Sequence, residues 1–338
     1  MLRVMGVDSG QRRGMADIAT AAGVAVSTVS RALSGAPGVS PAKRAEILAL
    51  ARSMGYVASE EPAPATRSGA HGRIVAVIPE PDRWVFGSIL AGLHDVLTPK
   101  DVSFTVYQGF SGGQRAKIFS ALPQRADLVI LAPMPLGLAT TEVVRLGVPV
   151  IVTGTIVDGL CSVGIDDVEV GQKATNYLIN TGYRRIAYAY YTDHDGMPGR
   201  AGANRGHGFG LSMERAGLDP TWRVQVPWGP AVGRDAAEVL LAGDSLPDAV
   251  VAVSDEMAAG MMAVFRAVGV RVPDDIAIIG VDNHPIAELM GLTTISQPAR
   301  EQGRVAAATA LRMLSGLGAA ETRVLPTRLV VRGSTAKR

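Results

Sequence analysis

Residues 15–33, MADIATAAGVAVSTVSRAL, constrain the fold more than any other stretch of this 338-residue chain. Asp17-Ile18-Ala19 opens an apolar helical face that Ala21 and Ala22 continue. Gly23 supplies a sharp turn, and Val24 plugs the angle that follows. A second short helix then turns Val29 and Leu33 inward and Ser27, Thr28, Ser30 and Arg31 outward. Two helices joined by a short Gly-containing turn make a helix-turn-helix, whose second helix enters the major groove of double-stranded DNA. The outward row carries hydroxyls and one guanidinium, groups that bond phosphates and base edges. A third helix is expected from Pro41 to Met54, after the loop GAPGV at 35–39. Ser40 is its N-cap and Pro41 its first residue, and Gly55-Tyr56 closes the unit.

The net charge of +2 says little, but its distribution says more. Residues 1–58 hold seven basic side chains against three acids, a net of +4, so the remaining 280 residues carry −2. A basic head on a slightly acidic body suits contact with phosphate. The length fits two or three domains, and 47% hydrophobic residues are enough for cores that need no disulfide. The single cysteine, Cys161, reads as a small buried filler in a reducing cytoplasm. The first thirty residues lack a long apolar stretch and no run of eighteen apolar residues occurs, so neither a signal peptide nor a membrane span is expected. Residues 1–13 show no periodicity; they read as a basic arm or as a matter of start-site choice, with Met5 and Met15 as other starts.

Three regions follow: a helix-turn-helix domain over 1–58, a linker over 59–72, and a body over 73–338. The linker lies in SEEPAPATRSGAHGR, polar and rich in Pro, Ala and Gly. Beyond it, apolar strands alternate with amphipathic helices, the pattern of parallel α/β layers. Strands are expected at Ile74–Ile78, Phe104–Tyr107, Leu128–Leu131, Val148–Val152, Ser162–Ile165, Arg185–Tyr190, Ala249–Val253 and Ala277–Val281, with helices at 86–97, 169–181, 234–242 and 255–268. No GxGxxG follows a strand, so no dinucleotide cofactor is expected. GRAGANRGHG at 199–208 lacks the Lys-Ser/Thr of a phosphate loop and reads as a ligand-facing loop. There is no GxSxG, HExxH or CxxC, and hence no expected catalytic residue. The five histidines do not fall at metal-ligand spacing, and His194, inside Asp193-His194-Asp195, reads as part of a solvated turn.

The head resembles that of the LacI/GalR family of bacterial transcription regulators, whose pattern D-V-A-x-x-A-G-V-S-x-x-T-V-S-R-x-L-N this chain follows closely. The body resembles the family's effector domain through IVAVIPE, VGIDDVEVGQKATNYLINTGYRRIAY at 163–188, VAVSDEMAAGMMAVFRAVGVRVPDDIAIIGVDN at 251–283, TTISQP at 293–298 and LVVRGST at 329–335. The resemblance implies a small all-α helix-turn-helix head followed by an α/β periplasmic-binding-protein-like domain of two doubly wound parallel-sheet lobes. Three crossovers would join the lobes, with the ligand in the cleft between them. Val26, Ser27, Thr28, Ser30, Arg31 and Lys43 are the expected DNA contacts.

Two departures from the family pattern matter. Ala25 stands where the family has a serine that caps the recognition helix, a loss of about 1 kcal/mol. In the linker, where the family forms a hinge helix that wedges a leucine into the minor groove, Pro62 and Pro64 interrupt the helix and Ala65 takes the leucine's place. A helix starting at Pro64 would be short, so weak bending of DNA is expected.

Ligands of open α/β lobes sit beyond the carboxyl ends of the strands. There the resemblance places Asp282 and Arg205 on the effector, a carboxylate and a guanidinium suited to a polyol. Trp84 and Trp228 offer flat rings for a sugar or for the core. Arg83 replaces a frequent asparagine, which suits a ligand with charge or extra oxygens. Asp166 and Ser254 stand at comparable strand ends. The expected function is a cytoplasmic, ligand-responsive repressor that binds a pseudo-palindromic operator as a homodimer, with a sugar as effector. Only six residues follow Arg332, too few for a tetramerising coiled coil. A purine or nucleoside effector is the first alternative, and a solute-binding protein of transport the second.

Overall fold

The computed structural model describes residues 15–33, 38–54, 72–109, 112–133, 138–192, 199–317 and 321–336. Residues 1–13, the linker prolines Pro62 and Pro64 with Ala65, Gly55-Tyr56 and the Asp193-His194-Asp195 turn lie outside them. The chain divides into two units, Met1–Ser68 and Gly69–Arg338.

In the first unit α1 (Met15–Ala22), α2 (Val26–Leu33) and α3 (Pro41–Ser53) enclose Ile18, Ala19, Ala22, Val29, Ala32, Ile47 and Ala51. Ile18, Val29 and Ile47 are fully buried, each worth about 1.5–3 kcal/mol. Gly23 has φ 63°, a backbone state that costs glycine least. The amide of Val24 donates to Ala19 O (3.0 Å) and that of Gly23 to Thr20 O (3.4 Å). These two bonds close α1 in a Schellman motif, with Val24 folded back over Ala19. Ser40 Oγ accepts from the amide of Lys43 at 3.3 Å and so caps α3. Two expected positions differ. Ala21 is exposed, because the buried face of α1 runs through Ile18, Ala19 and Ala22 and leaves it on the flank; on α2, Ala32 is buried and Leu33 only partly so.

The second unit holds two sheets. The first contains β1 (Arg73–Ile78), β2 (Ser103–Gln108), β3 (Leu128–Leu131), β4 (Val150–Thr153), β5 (Cys161–Gly164) and β11 (Arg323–Val324). The second contains β6 (Ile186–Thr192), β7 (Arg223–Pro227), β8 (Ala249–Ala252), β9 (Ala277–Asp282), β10 (Thr293–Ser296) and β12 (Arg328–Val330). Their orders are β2-β1-β3-β4-β5-β11 and β7-β6-β8-β9-β10-β12, the same permutation twice. All pairings are parallel except β10 with β12. Between the strands lie α4 (Trp84–Leu97), α5 (Gly112–Arg125), α6 (Thr140–Val144), α7 (Asp167–Asn180), α8 (Arg200–Arg215), α9 (Val232–Leu241), α10 (Asp255–Ala267), α11 (Pro285–Leu289) and α12 (Ala299–Leu314). The chain crosses between lobes three times: after β5, after β10, and between β11 and β12.

The stretch 199–208 is a correction: it is not a loop but the start of α8. Its glycines serve contact rather than flexibility. A Cβ on Gly208 would collide with the carbonyl of Val168, and one on Gly171 with that of Arg205, so α7 and α8 pack backbone against backbone. Gly92 and Gly303 do the same for α4 and α12 in the first lobe, against Arg300 and Ile89.

Candidate functional site

On the head, Val26, Ser27, Ser30 and Arg31 are exposed and Thr28 is half-buried. Ala25 stands just before α2, its carbonyl accepting from the amides of Thr28 (2.8 Å) and Val29 (3.2 Å), but it has no side-chain oxygen to offer. Lys43 is placed differently from the row on α2. Its Nζ donates to the carbonyl of Ala22 and to Glu46 Oε1, both at 2.9 Å. It thereby satisfies the carboxyl end of α1 from α3, a role inside the head.

In the body, a cavity of about 170 Å³ opens beyond the carboxyl ends of the strands of both sheets. This is the position that doubly wound sheets reserve for ligands, where the strand order reverses. Pro79, Glu80 and Arg83 follow β1; Pro133 follows β3 and Gly154 follows β4. Tyr191 lies at the end of β6, Trp228 follows β7, Ser254 follows β8, Asp282 ends β9 and Gln297 follows β10. The first two turns of α8 add Arg200, Ala201, Gly202 and Arg205.

Arg205 is only 6% exposed. Its Nε donates to Asp167 Oδ1 at 3.0 Å and its Nη1 to the carbonyl of Val253 at 2.7 Å, while Thr155 Oγ1 donates to Asp167 Oδ2 at 3.1 Å. The guanidinium is thus held by two elements with one edge toward the cavity. Asp282 is also buried, accepts from Gln297 Nε2, and has φ 126°. A left-handed backbone at a non-glycine residue is strained, and such strain clusters at ligand sites. Burial pushes the Asp282 carboxyl up to about 7; Arg205 opposes this and neighbouring Asp255 adds to it. Burial likewise pushes Asp255 up to about 6. Ser254 caps α10, its Oγ accepting from the amide of Met257 at 3.3 Å, and its hydroxyl proton remains for a ligand.

Arg83 is 8% exposed and crosses the cleft. Its guanidinium carbon lies 4.1 Å from the ring centroid of Trp228, 4.9 Å from Tyr191 and 5.1 Å from Phe86. The face of Trp228 that suits a sugar is therefore covered by a cation. Trp84 does not line this cavity. It begins α4 and stands edge-on to His284 at 5.4 Å, beside a neighbouring groove. Asp166 is exposed and caps α7, accepting from the amide of Glu169 at 3.0 Å. The next residue, Asp167, is the buried one that meets Arg205. Arg200 lines the cavity from the stretch expected to face the ligand, whereas Tyr191, Gln297 and Glu80 are not among the expected site residues. Strand-end position is the signal for Tyr191 and Glu80, whereas Gln297 follows β10, a strand that the apolar pattern does not mark.

A helix-turn-helix head followed by two doubly wound lobes with a cleft between them defines a class of protein, the two-domain DNA-binding regulators. The comparisons agree. Residues 14–59 match the family described as bacterial regulatory proteins, lacI family, and 175–335 match a periplasmic binding protein-like domain. The regulator CelR of Thermobifida fusca is 31% identical over 94% of this chain and 96% of its own. The repressor CytR of Escherichia coli K12 is 30% identical over 95% and 96%. A solved CelR–cellobiose complex superposes with a TM-score of 0.69 at 29% identity, covering 96% of this chain and all of that one. The lac repressor dimer bound to operator and the anti-inducer ONPF gives 0.70 at 21% identity, covering 97% and 100%, and bears on the fold alone. The chain belongs to the LacI family: it is a DNA-binding transcription regulator, and its relatives are regulators rather than enzymes. Among the described residues no helix is long and apolar enough to cross a membrane.

Proposed function

We propose that this regulator is a cytoplasmic repressor that binds a pseudo-palindromic operator as a homodimer and is controlled by a sugar in the cleft between its lobes. The observation that carries the sugar reading is the convergence, in one cavity of about 170 Å³, of buried Arg205, Asp282 and Ser254 with Gln297. The polar groups serve the hydroxyls of a sugar, and the apolar side chains of Val85 and Pro133 in the same lining suit its C–H faces. A cavity of that size suits one sugar ring. A relative solved with cellobiose supports the same class of ligand. The head over 1–58 is read as the DNA-binding domain, 59–72 as a linker and 73–338 as the effector and dimerisation domain. Two-fold use of the head follows from the few base contacts that one helix-turn-helix makes.

DNase footprinting of the full chain on DNA flanking its own gene, with and without a pool of monosaccharides, tests this reading. A protected pseudo-palindrome released by the pool is the expected result. Protection that only nucleosides release would replace the sugar by the purine class. On the head, Arg31→Ala is expected to weaken operator binding by about 1–3 kcal/mol if Arg31 reads a base edge. Equal loss on operator and random DNA would assign it to phosphate alone.

A further inference from the structure

Helix α4 begins without a cap of its own. Its N-cap residue is Arg83, whose side chain makes no capping hydrogen bond. The acceptor comes from the other lobe. Glu256, in the first turn of α10, accepts from the amide of Trp84 through Oε1 at 3.3 Å and from Arg83 Nη2 through Oε2 at 3.4 Å. A carboxylate at a helix N-terminus that also pairs a guanidinium makes two charge-assisted bonds at once. The corner between β1 and α4 is gripped at two further points. Trp228 lies under the Arg83 guanidinium, and His284 meets the edge of Trp84. The buried Nε of Arg83 has no hydrogen-bond partner; the Glu80 carboxylate stands 3.9 Å from it. The guanidinium borders the cavity.

We propose that Glu256 is a positioning residue of the effector site, a clasp across the cleft that caps α4 from the opposite lobe and holds Arg83 with its Nε free to donate to an acceptor oxygen of the ligand. The effector half of this proposal rests on the reading of the cleft as a sugar site; the clasp itself does not. Opening the cleft deprives α4 of its cap and Arg83 of its pair with Glu256, leaving only the longer one with Glu80, so the clasp favours the closed lobes.

Amide hydrogen exchange on the full chain, without sugar, tests the clasp in wild type, Glu256→Ala and Glu256→Gln. The amides that open α4, residues 84–87, are expected to exchange about tenfold faster in Glu256→Ala. Strand β1 and the interior of α10 should keep their rates. Glu256→Gln retains an acceptor for the Trp84 amide and is expected within about threefold of wild type. Unchanged exchange at α4 in Glu256→Ala, or equal acceleration throughout the body, would overturn the clasp. The effector half is read by titrating operator-bound protein with D-glucose, D-galactose, D-xylose and cellobiose. Where one of them releases wild type, Glu256→Ala is expected to need about tenfold more of it; an unshifted titration would overturn that half. Release by none of the four would overturn the sugar reading and the effector half with it, leaving the clasp to be decided by exchange.

Discussion

Both lobes use the same strand order, yet the ends of their sheets carry different chemistry. The first lobe presents Pro79, Val85, Phe86, Pro133 and Gly154, with Glu80 and Arg83 as its charged groups. The second presents Tyr191, Arg205, Trp228, Ser254 and Asp282, with Gln297 on the strand that leaves it. One lobe is mostly wall and the other mostly polar anchor. The contrast teaches that the fold supplies a place for a ligand and the side chains at the strand ends supply its identity. It also separates two kinds of sensitivity: the second lobe is held by buried charges, the first by packing and by the clasp at Glu256.

The largest expected effect breaks the second lobe. Arg205→Ala leaves Asp167, 3% exposed, without its charged partner and with only the Thr155 hydroxyl to pair it. Loss of one member of a buried pair costs about 3–5 kcal/mol. Urea unfolding followed by tryptophan fluorescence measures it, and a loss below about 1 kcal/mol would remove the buried-charge account.

The next effect depends on pH. A carboxyl whose pKa is raised on folding binds its proton more tightly in the native state. Stability therefore falls as pH rises from the ordinary value of 3.8 through about 7 for Asp282, and is flat above. Asp282→Asn should remove that slope: its melting temperature gains on wild type between about pH 4 and 7, with no gain at lower pH. Asp255 titrates in the same window and keeps part of the slope. Parallel melting curves for the two proteins across the range would contradict the burial of Asp282.

Packing at the helix crossings is expected to be equally sensitive in both lobes. Gly92→Ala in the first and Gly208→Ala in the second each drive a Cβ into a facing backbone, a cost of about 1–3 kcal/mol. Tolerance of one and not the other would show that the lobes share topology but not tightness. Smallest of all is Asp95→Asn, which removes the half-buried carboxylate that bridges the exposed Arg300 and Arg304 at 2.8–2.9 Å. Surface pairs of this kind contribute little, and a barely measurable change in melting temperature is expected.

Where the sequence was legible, burial was complete and apolar. Strands β3, β8 and β9 are runs of small and branched apolar residues buried on both faces, and their bounds differ from expectation by at most one residue. The strands missed lack that signal. Strand β7, Arg223–Pro227, alternates exposed and buried on the sheet edge, and β11 and β12 are two and three residues long. Strand β10 is Thr293–Ser296, with Thr293 and Thr294 buried; Thr293 Oγ1 accepts from the Arg332 amide at 2.9 Å. The glycines of α8 read as a loop because helix propensity disfavours them, whereas the contact that requires Gly208 lies 40 residues upstream, at the carbonyl of Val168.

The site shows the same division. Asp282 is marked by both a strand end and the family resemblance, Ser254 by a strand end alone, and Arg205, inside α8, by the resemblance alone. Asp166 was preferred to Asp167 because a doublet of aspartates does not say which one the helix turns inward. Glu256 carried no mark at all: its partner amide at Trp84 is 172 residues distant and meets it only across the closed cleft.

Fluorescence anisotropy of a labelled operator, titrated with the monosaccharide pool in wild type and Asp282→Ala, tests most directly whether cleft chemistry governs DNA binding. The account predicts equal operator affinity for both proteins, release of wild type by the pool, and no release of the variant. Release of Asp282→Ala at the same sugar concentration as wild type would contradict it.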